Sequence, residues 1–169
     1  MNSHLQRLSD LLRARLHEIP PGRTSRGAAG KWCVADILEH LYLTYTGTTK
    51  GLERVEQAGK PLASHFNLLK RMQAFAVIGL GYFPEGRKSP RVAEPRGLSR
   101  ELVAGEILSR IGEMDEAISR CGAKFGPRTT ILDHPFLGAL SADDWAKFHF
   151  VHGSHHVKQI ERLLREGSQ

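Results

Sequence analysis

Apolar residues recur at every third or fourth position along most of the chain, which is the period of an α-helix with one buried face. The pattern predicts four main helices and one shorter helix, and no segment alternates in the way that predicts a strand. The predicted helices span about Asn2 to His17, Cys33 to Gln57, Ser64 to Ile78, Ser99 to Arg120 and Ser141 to Arg165. The sequence therefore predicts an all-α fold, a four-helix bundle with an extra short helix.

Cap and turn residues mark the predicted helix ends. The segment "IPPG" ends the first helix, Ser64 is the N-cap expected for the third, and Gly122 follows the fourth. Ser141 with Asp144 three residues later forms a capping-box variant at the start of the last helix, which stops at Gly167.

A long loop, Pro84 to Gly97, separates the third and fourth predicted helices. The length of chain between the second and fourth helical segments argues against a simple up-down-up-down order. The inner face of the fourth helix is predicted to consist of Ala104, Ile107, Ile111, Met114 and Ile118.

Composition fits a single soluble domain over residues 1–169, with 40% hydrophobic and 25% charged residues. The N-terminal stretch lacks the apolar run of a signal peptide. The longest apolar stretch, Ala74 to Phe83, is about half of a membrane span, so no membrane partner is expected. Two cysteines, Cys33 and Cys121, are too few for a disulfide framework. We therefore expect a cytoplasmic protein.

The net charge of +6 and the pI of about 9.6 raise the possibility of nucleic-acid binding. The cations are, however, interleaved with acids, and no base-reading motif or interleaved aromatic residue accompanies them. The densest basic run is a proline-rich loop that holds Arg87, Lys88, Arg91, Arg96 and Arg100. It reads as a solvated loop or as one that attracts an anionic small molecule, and no nucleic-acid partner is expected.

Four of the nine histidines, His149, His152, His155 and His156, fall within eight residues of the last helix. On a helical wheel His152 and His156 share the inner stripe with Trp145, and they are one turn apart, as in pairs that chelate a metal ion. His155 is about a quarter-turn away, and His149 reaches the site less directly. The competing interpretation is a set of buried histidines that only form hydrogen bonds.

A metal site needs a third ligand from another element. His4 and His17 lie at the two ends of the first helix, and His40 flanks the apolar face of the second helix, where it can meet a facing helix. His65 is a further candidate. His134 precedes the last helix, where it is either a ligand or a residue that caps backbone groups.

Two motifs carry a resemblance to a known family: "W-x7-H" from Trp32 to His40, and "H-x-x-H-H-x-x-Q" formed by His152, His155, His156 and Gln159. Together they resemble the DinB-like superfamily. The segment "HPFLGALSADDWAKFHFVHGSHHVKQ" is similar to an uncharacterised branch of that superfamily. The resemblance covers essentially the whole chain in helix order, and it is specific only around these two motifs.

The resemblance implies a four-helix bundle with one long crossover connection and a divalent metal ion, nickel or zinc, on His40, His152 and His156. Relatives include metal-dependent hydrolases and enzymes that transfer low-molecular-weight thiols, and many have no known activity. It therefore implies thiol S-transfer or hydrolysis on a small-molecule substrate. The alternative is a non-catalytic, metal-binding or stress-related bundle.

Three neutral imidazoles leave a divalent ion with its full charge and open positions, where bound water or a thiol is readily deprotonated. The motif "HGSHH" has no glutamate between its histidines, which argues against a peptidase of the H-E-x-x-H type. The candidate catalytic bases are His155, His134 and Asp36. Gln159 and His149 are candidates for orienting a ligand or bonding a metal-bound histidine, and simple packing is the alternative.

Cys33 precedes the second helix where many DinB-like relatives have serine. It is interpreted as a weak capping box with Asp36, or as a thiol whose pKa is lowered at a helix N-terminus. The outer side of the last helix carries a second apolar strip, Ala146, Phe150, Gly153, Val157 and Leu164. This strip predicts contact with two neighbouring helices or, as the alternative, a homodimer interface.

Overall fold

The computed structural model describes residues 1–19, 31–64, 67–83 and 89–166. These ranges are mostly helical, with five α-helices: α1 (Ser3–Glu18), α2 (Val34–Ala58), α3 (Leu68–Ala74), α4 (Arg100–Phe125) and α5 (Ala142–Glu166). The prediction of a helical protein is confirmed. The helix stops predicted at "IPPG" and Gly167 involve residues outside the described ranges.

The helix caps follow the sequence closely at most starts. Asn2 caps α1 through its side chain, and the Ser99 hydroxyl accepts from the backbone of α4. Ser141 and Asp144 bond reciprocally: the Ser141 hydroxyl accepts from the Asp144 N–H at 3.1 Å, and the Asp144 carboxylate accepts from the Ser141 N–H at 3.2 Å. The predicted capping box is therefore present.

Two helix boundaries were predicted wrongly. Asn67, not Ser64, caps α3, and the Ser64 N–H instead donates to Asp133. The helix α4 continues through Gly122 and ends at Phe125. A Cβ atom on Gly122 would lie 3.3 Å from the Cβ of Ala142, so this glycine permits close packing inside the structure and does not end the helix.

Short non-α elements connect the helices. A π-helical turn, Phe75–Gly79, continues α3, and a 3₁₀ turn spans Arg91–Ala93. Strands β1 (Thr130–His134) and β2 (Gly138–Ser141) form an antiparallel hairpin before α5, so the prediction of no strand is wrong. Strands of five and four residues are too short to show a clear period of two.

Side-chain contacts fix the helix directions. In the pair α2 and α4, Tyr42 bonds Glu106 and the later Glu56 bonds Arg120, so the two helices run parallel. Parallel neighbours require a long return connection, which residues 59–99 provide. By the same reasoning α2 is antiparallel to α5, because His40 contacts His152 and the later Thr48 bonds the earlier His149.

The core lies between the four long helices and includes fully buried residues from α1, α2 and α4: Leu5, Leu8, Leu12, Ile37, Leu38, Leu41, Tyr45, Leu52, Ile107, Ile111 and Met114. Of the inner face predicted for α4, Ala104 is only half-buried, and Val103 is buried in its place. Within the described ranges, no helix has both the length and the apolar character needed to cross a lipid bilayer.

The second apolar strip of α5 faces α1 of the same chain. Gly153 packs against Leu8, and the Phe150 ring lies 4.3 Å from the Arg7 guanidinium carbon. Ala146 and Val157 of the strip are buried. The strip therefore contacts a neighbouring helix of the same chain. The homodimer stays a prediction, and the contacts of this strip do not support it.

Candidate metal centre

Three histidines from two helices meet near the N-terminal end of α2. The Nε2 atom of His152 lies 3.2 Å from that of His40 and 3.1 Å from that of His156. All three side chains are buried, and one ligand atom from each lies within 4.8 Å of the others. The structure thus brings together the three residues named from the sequence, and this cluster could hold a metal ion.

The other ring nitrogens set the tautomers. The Nδ1 atom of His40 donates to the carbonyl oxygen of Ala93 at 2.8 Å. The Nδ1 atom of His156 donates to Oε1 of Gln159 at 2.8 Å. The proton therefore lies on Nδ1 in both rings, and each Nε2 presents a lone pair. The three Nε2 atoms therefore carry at most one proton, that of His152, and this proton must lie on Nδ1 of His152 when all three rings bind a metal ion.

Burial keeps these imidazoles neutral. Desolvation lowers the pKa of His40, against the raising effect of its hydrogen bond to Ala93. Desolvation, followed by the nearby His156 and His40, holds the pKa of His152 well below its ordinary value of 6.5. The pKa of His156 falls to about 3, mainly through burial. Neutral imidazole is the form that binds a metal ion, so the cluster is prepared for one at neutral pH.

The nitrogen spacing fits common coordination geometries. An ion about 2.0–2.1 Å from each nitrogen separates tetrahedral ligands by about 3.4 Å and octahedral neighbours by about 3.0 Å. The observed 3.1 and 3.2 Å lie between these values. Both distances that involve His152 are therefore compatible with either geometry, and the ligand atoms of His40 and His156 lie within 4.8 Å of each other.

Gln159 links the cluster to a fourth histidine. Its Oε1 accepts from His156, and its Nε2 donates to Nε2 of His155 at 3.1 Å. The side-chain amide thus orients both rings, which agrees with the expectation that Gln159 bonds a histidine of the cluster. Of the candidate bases, His155 is the one placed next to the cluster, at 5.3 Å between its ring centroid and that of His156.

A loop over residues 89–98 holds His40 from outside α2. Glu39, only 2% exposed, accepts three backbone N–H bonds from this loop, at 2.6 Å from Arg96, 3.0 Å from Gly97 and 3.1 Å from Leu98. These bonds fix the 3₁₀ turn that carries the Ala93 carbonyl. Glu39 was not predicted as a site residue, although an acidic residue beside His40 on a largely buried helix was an available sign.

Aromatic rings surround the three histidines. Phe148, which is buried, stacks on His152 with centroids 5.3 Å apart, and Phe83 lies 5.7 Å from the same ring. Trp32 lies 4.9 Å from His40 and 6.3 Å from His156. Trp32 and Phe83 are half-buried. The resemblance had picked out Trp32 without a role, and nothing in the sequence had pointed to Phe83.

Comparison with known proteins connects these residues to a family. The sequence model of a family described as "Protein of unknown function (DUF1569)" matches residues 9–163. This chain belongs to the DUF1569 family. No curated protein and no solved structure matches it. The matched range includes His40, His152 and His156, so the cluster lies within the part of the chain that is characteristic of DUF1569.

Two other candidates have structural partners in this DUF1569 chain. The Nδ1 atom of His134 accepts from the backbone N–H groups of Phe136 and Leu137, each at 3.2 Å, and so caps the hairpin turn. Asp36 accepts from the Cys33 N–H at 2.8 Å, as a capping-box partner does. Each residue was interpreted either as part of the site or as a capping residue, and each makes the capping contact.

His149 lies deeper in the core than the cluster. Its Nε2 bonds the Thr48 hydroxyl at 3.1 Å, and its ring stacks on Trp145. Burial, followed by His134, lowers its pKa to about 3. The hydrogen bond of its Nε2 thus leads to Thr48 of α2 and away from the three histidines.

The remaining sequence candidates lie elsewhere. His4 and His17 lie at the two ends of α1, with His4 next to the Phe150 ring, and His65 lies outside the described residues. Arg87 and Lys88 of the basic loop also lie outside them. Arg96 and Arg100 bond the carbonyls of Val92 and Ile19, so these two cations have backbone partners.

Proposed function

We propose that this DUF1569 protein binds a divalent metal ion, nickel or zinc, on His40, His152 and His156. One observation carries the proposal: three buried, neutral imidazoles direct their Nε2 atoms at one another, with at most one proton among them. Such an arrangement is unfavourable unless a cation or a shared proton satisfies the lone pairs. A divalent ion satisfies all three.

The architecture proposed for this site is a four-helix bundle of the DinB-like type. Four long helices with parallel α2 and α4 and a long crossover agree with it. So does the distribution of the histidines, with one on the second helix and two on the last. The family description itself assigns no activity, so this relationship rests on motif and topology.

The reaction proposed is thiol S-transfer or hydrolysis on a small molecule. A divalent ion in this site would act as a Lewis acid that lowers the pKa of a bound water or thiol. His155, oriented by Gln159 and stacked against Phe83, is the group proposed to accept or return a proton beside it. Asp36 and His134 are less suited to this role because their hydrogen bonds are capping bonds to backbone groups, whereas the bond of His155 leads through Gln159 to His156.

A non-catalytic metal-binding bundle is the alternative. The observation that favours it is the scarcity of acid–base groups: in the part of the chain that the structure describes, no carboxylate belongs to the histidine cluster. An ion held this way would join α2 to α5 and stabilise the fold. This alternative is favoured if a bound metal ion raises the stability of the protein and the metal-loaded protein turns over no thiol or ester probe.

Elemental analysis of protein purified without a His-tag tests the metal site. We expect about one nickel or zinc ion per chain, and less than a tenth of that in His152→Ala because two imidazoles bind far more weakly than three. The matched control is His17→Ala, an exposed histidine of α1, which should keep its metal. Metal-free wild-type protein that also fails to bind added nickel or zinc, or full metal content in His152→Ala, would overturn the proposal.

A further inference from the structure

The histidine cluster provides no negative charge to a bound cation. The two nearest acidic residues along α2 are engaged elsewhere: Asp36 accepts from the Cys33 backbone, and Glu39 accepts from the loop backbone. The Nδ1 partners of His40 are the Ala93 carbonyl and the Ser89 hydroxyl, and that of His156 is the Gln159 amide, and all three groups are neutral. A divalent ion on these three histidines therefore keeps its full charge of about +2 and attracts an anionic ligand.

The rings around the cluster differ in burial. On one side of His152 lies Phe148, which is 3% exposed and belongs to the core. Phe83 also contacts His152 and is half-buried, as is Trp32 beside His40. Phe148 thus covers the core side of the histidine cluster, and Phe83 and Trp32 are the rings that lie nearer the surface. Both offer flat apolar faces.

We infer that the metal site takes a small organic anion with a flat apolar body, of the aromatic carboxylate class. The anionic group meets the ion, and the apolar body packs against Trp32 and Phe83. A cationic ligand is repelled by the ion, and a small polar anion gains no packing from the parts of the two rings that the histidines leave uncovered. This inference rests on the proposed metal site and names the chemical class of its ligand.

Titration of the Co²⁺-loaded, full-length protein tests the inference, since the visible absorption of Co²⁺ reports directly on a new ligand. The probes are benzoate, acetate and benzyl alcohol. We expect benzoate to change the spectrum with a Kd about tenfold lower than that of acetate, because only benzoate adds ring packing to charge. Benzyl alcohol, which has the ring without the charge, should give no saturable change.

Two variants locate the effect. Trp32→Ala and Phe83→Leu should each lose most of the preference for benzoate while acetate binding stays within about twofold. The matched control is Phe125→Leu. Phe125 is a half-buried phenylalanine at the C-terminal end of α4, and this variant should keep the preference for benzoate. Phe83→Leu conserves an apolar side chain, so it remains a usable test if Trp32→Ala fails to fold.

Co²⁺ content is measured for every sample, which separates the two proposals. A protein that binds no Co²⁺ overturns the metal site and the inference together. A protein that binds Co²⁺ but gives benzoate and acetate equal affinity keeps the metal site and loses the inference. Retention of the benzoate preference in both Trp32→Ala and Phe83→Leu also overturns the inference.

Discussion

At the scale of single residues, the proton positions decide what the histidine cluster can do. The same three rings with their protons on Nε2 would point hydrogens at one another and repel a cation. The Ala93 carbonyl and the Gln159 amide prevent this by accepting the Nδ1 protons of His40 and His156. Only one of these two acceptors, Gln159, is near its histidine in sequence.

Replacing Gln159 by leucine should weaken metal binding about 10- to 100-fold without removing a ligand. The variant takes away the acceptor of the buried His156 Nδ1–H, so the tautomer with its lone pair on Nε2 loses its stabilising bond. Competition with a chromophoric chelator measures the affinity. The control is Gln57→Leu, an exposed glutamine of α2. Unchanged affinity in Gln159→Leu would show that the amide only packs.

At the scale of elements, the periodicity of the sequence predicted four of the five helices to within a few residues, and local caps account for most of their starts. The exceptions have tertiary causes. The end of α4 was misplaced because Gly122 packs against the start of α5, a contact that cannot be seen in the local sequence. The hairpin was missed because its short strands are stabilised partly from outside, for instance by the Leu62 N–H bonding the Ile131 carbonyl.

Glu39→Gln tests the attachment of the loop to α2. The carboxylate accepts three backbone N–H groups, and an amide provides only one acceptor oxygen, so we expect a loss of about 1–3 kcal/mol in the free energy of unfolding. Chemical denaturation measures this loss. The exposed Glu53→Gln in the same helix serves as the control, with a change within about 0.5 kcal/mol. Equal stability of the two variants would contradict the attachment.

The contact between α1 and α5 depends on a residue without a side chain. A Cβ on Gly153 would collide with Leu8 and lie 3.1 Å from the Tyr45 hydroxyl, so Gly153→Ala should destabilise the protein by about 1–3 kcal/mol. The matched control is Gly112→Ala in α4, where nothing lies within 4 Å. That change should stabilise by up to about 1 kcal/mol, because alanine favours helix. Thermal unfolding compares them, and a neutral Gly153→Ala would refute close packing here.

At the scale of the whole molecule, buried neutral histidines link stability to pH. The pKa values of His149 and His156 are lowered to about 3, and that of His134 to about 4, each mainly by burial. In the unfolded chain these groups titrate near 6.5. The unfolded state therefore binds more protons than the folded state below that pH, and the stability of the protein falls as pH decreases towards 3 or 4.

The prediction for His149 is quantitative. Between pH 7 and pH 5 its share of the loss should be about 2 kcal/mol, because the unfolded form becomes protonated while the buried ring stays neutral. Denaturation of metal-free protein at the two pH values measures the loss. His149→Gln should show a pH dependence smaller by that amount, whereas the exposed His17→Gln should match the wild type. An unchanged pH dependence in His149→Gln would contradict this account.

The sequence by itself determined what depends on local spacing: the helical periods, the reciprocal cap of Ser141 and Asp144, and His152 and His156 one turn apart on an inner face. The choice of His40 as the third histidine came from a resemblance, since spacing alone left five candidates open. Only the tertiary structure decided which histidines meet, where their protons lie and which aromatic rings surround them. The physical reason is that these properties depend on partners more than 50 residues away, such as Ala93 for His40, whose positions local rules do not specify.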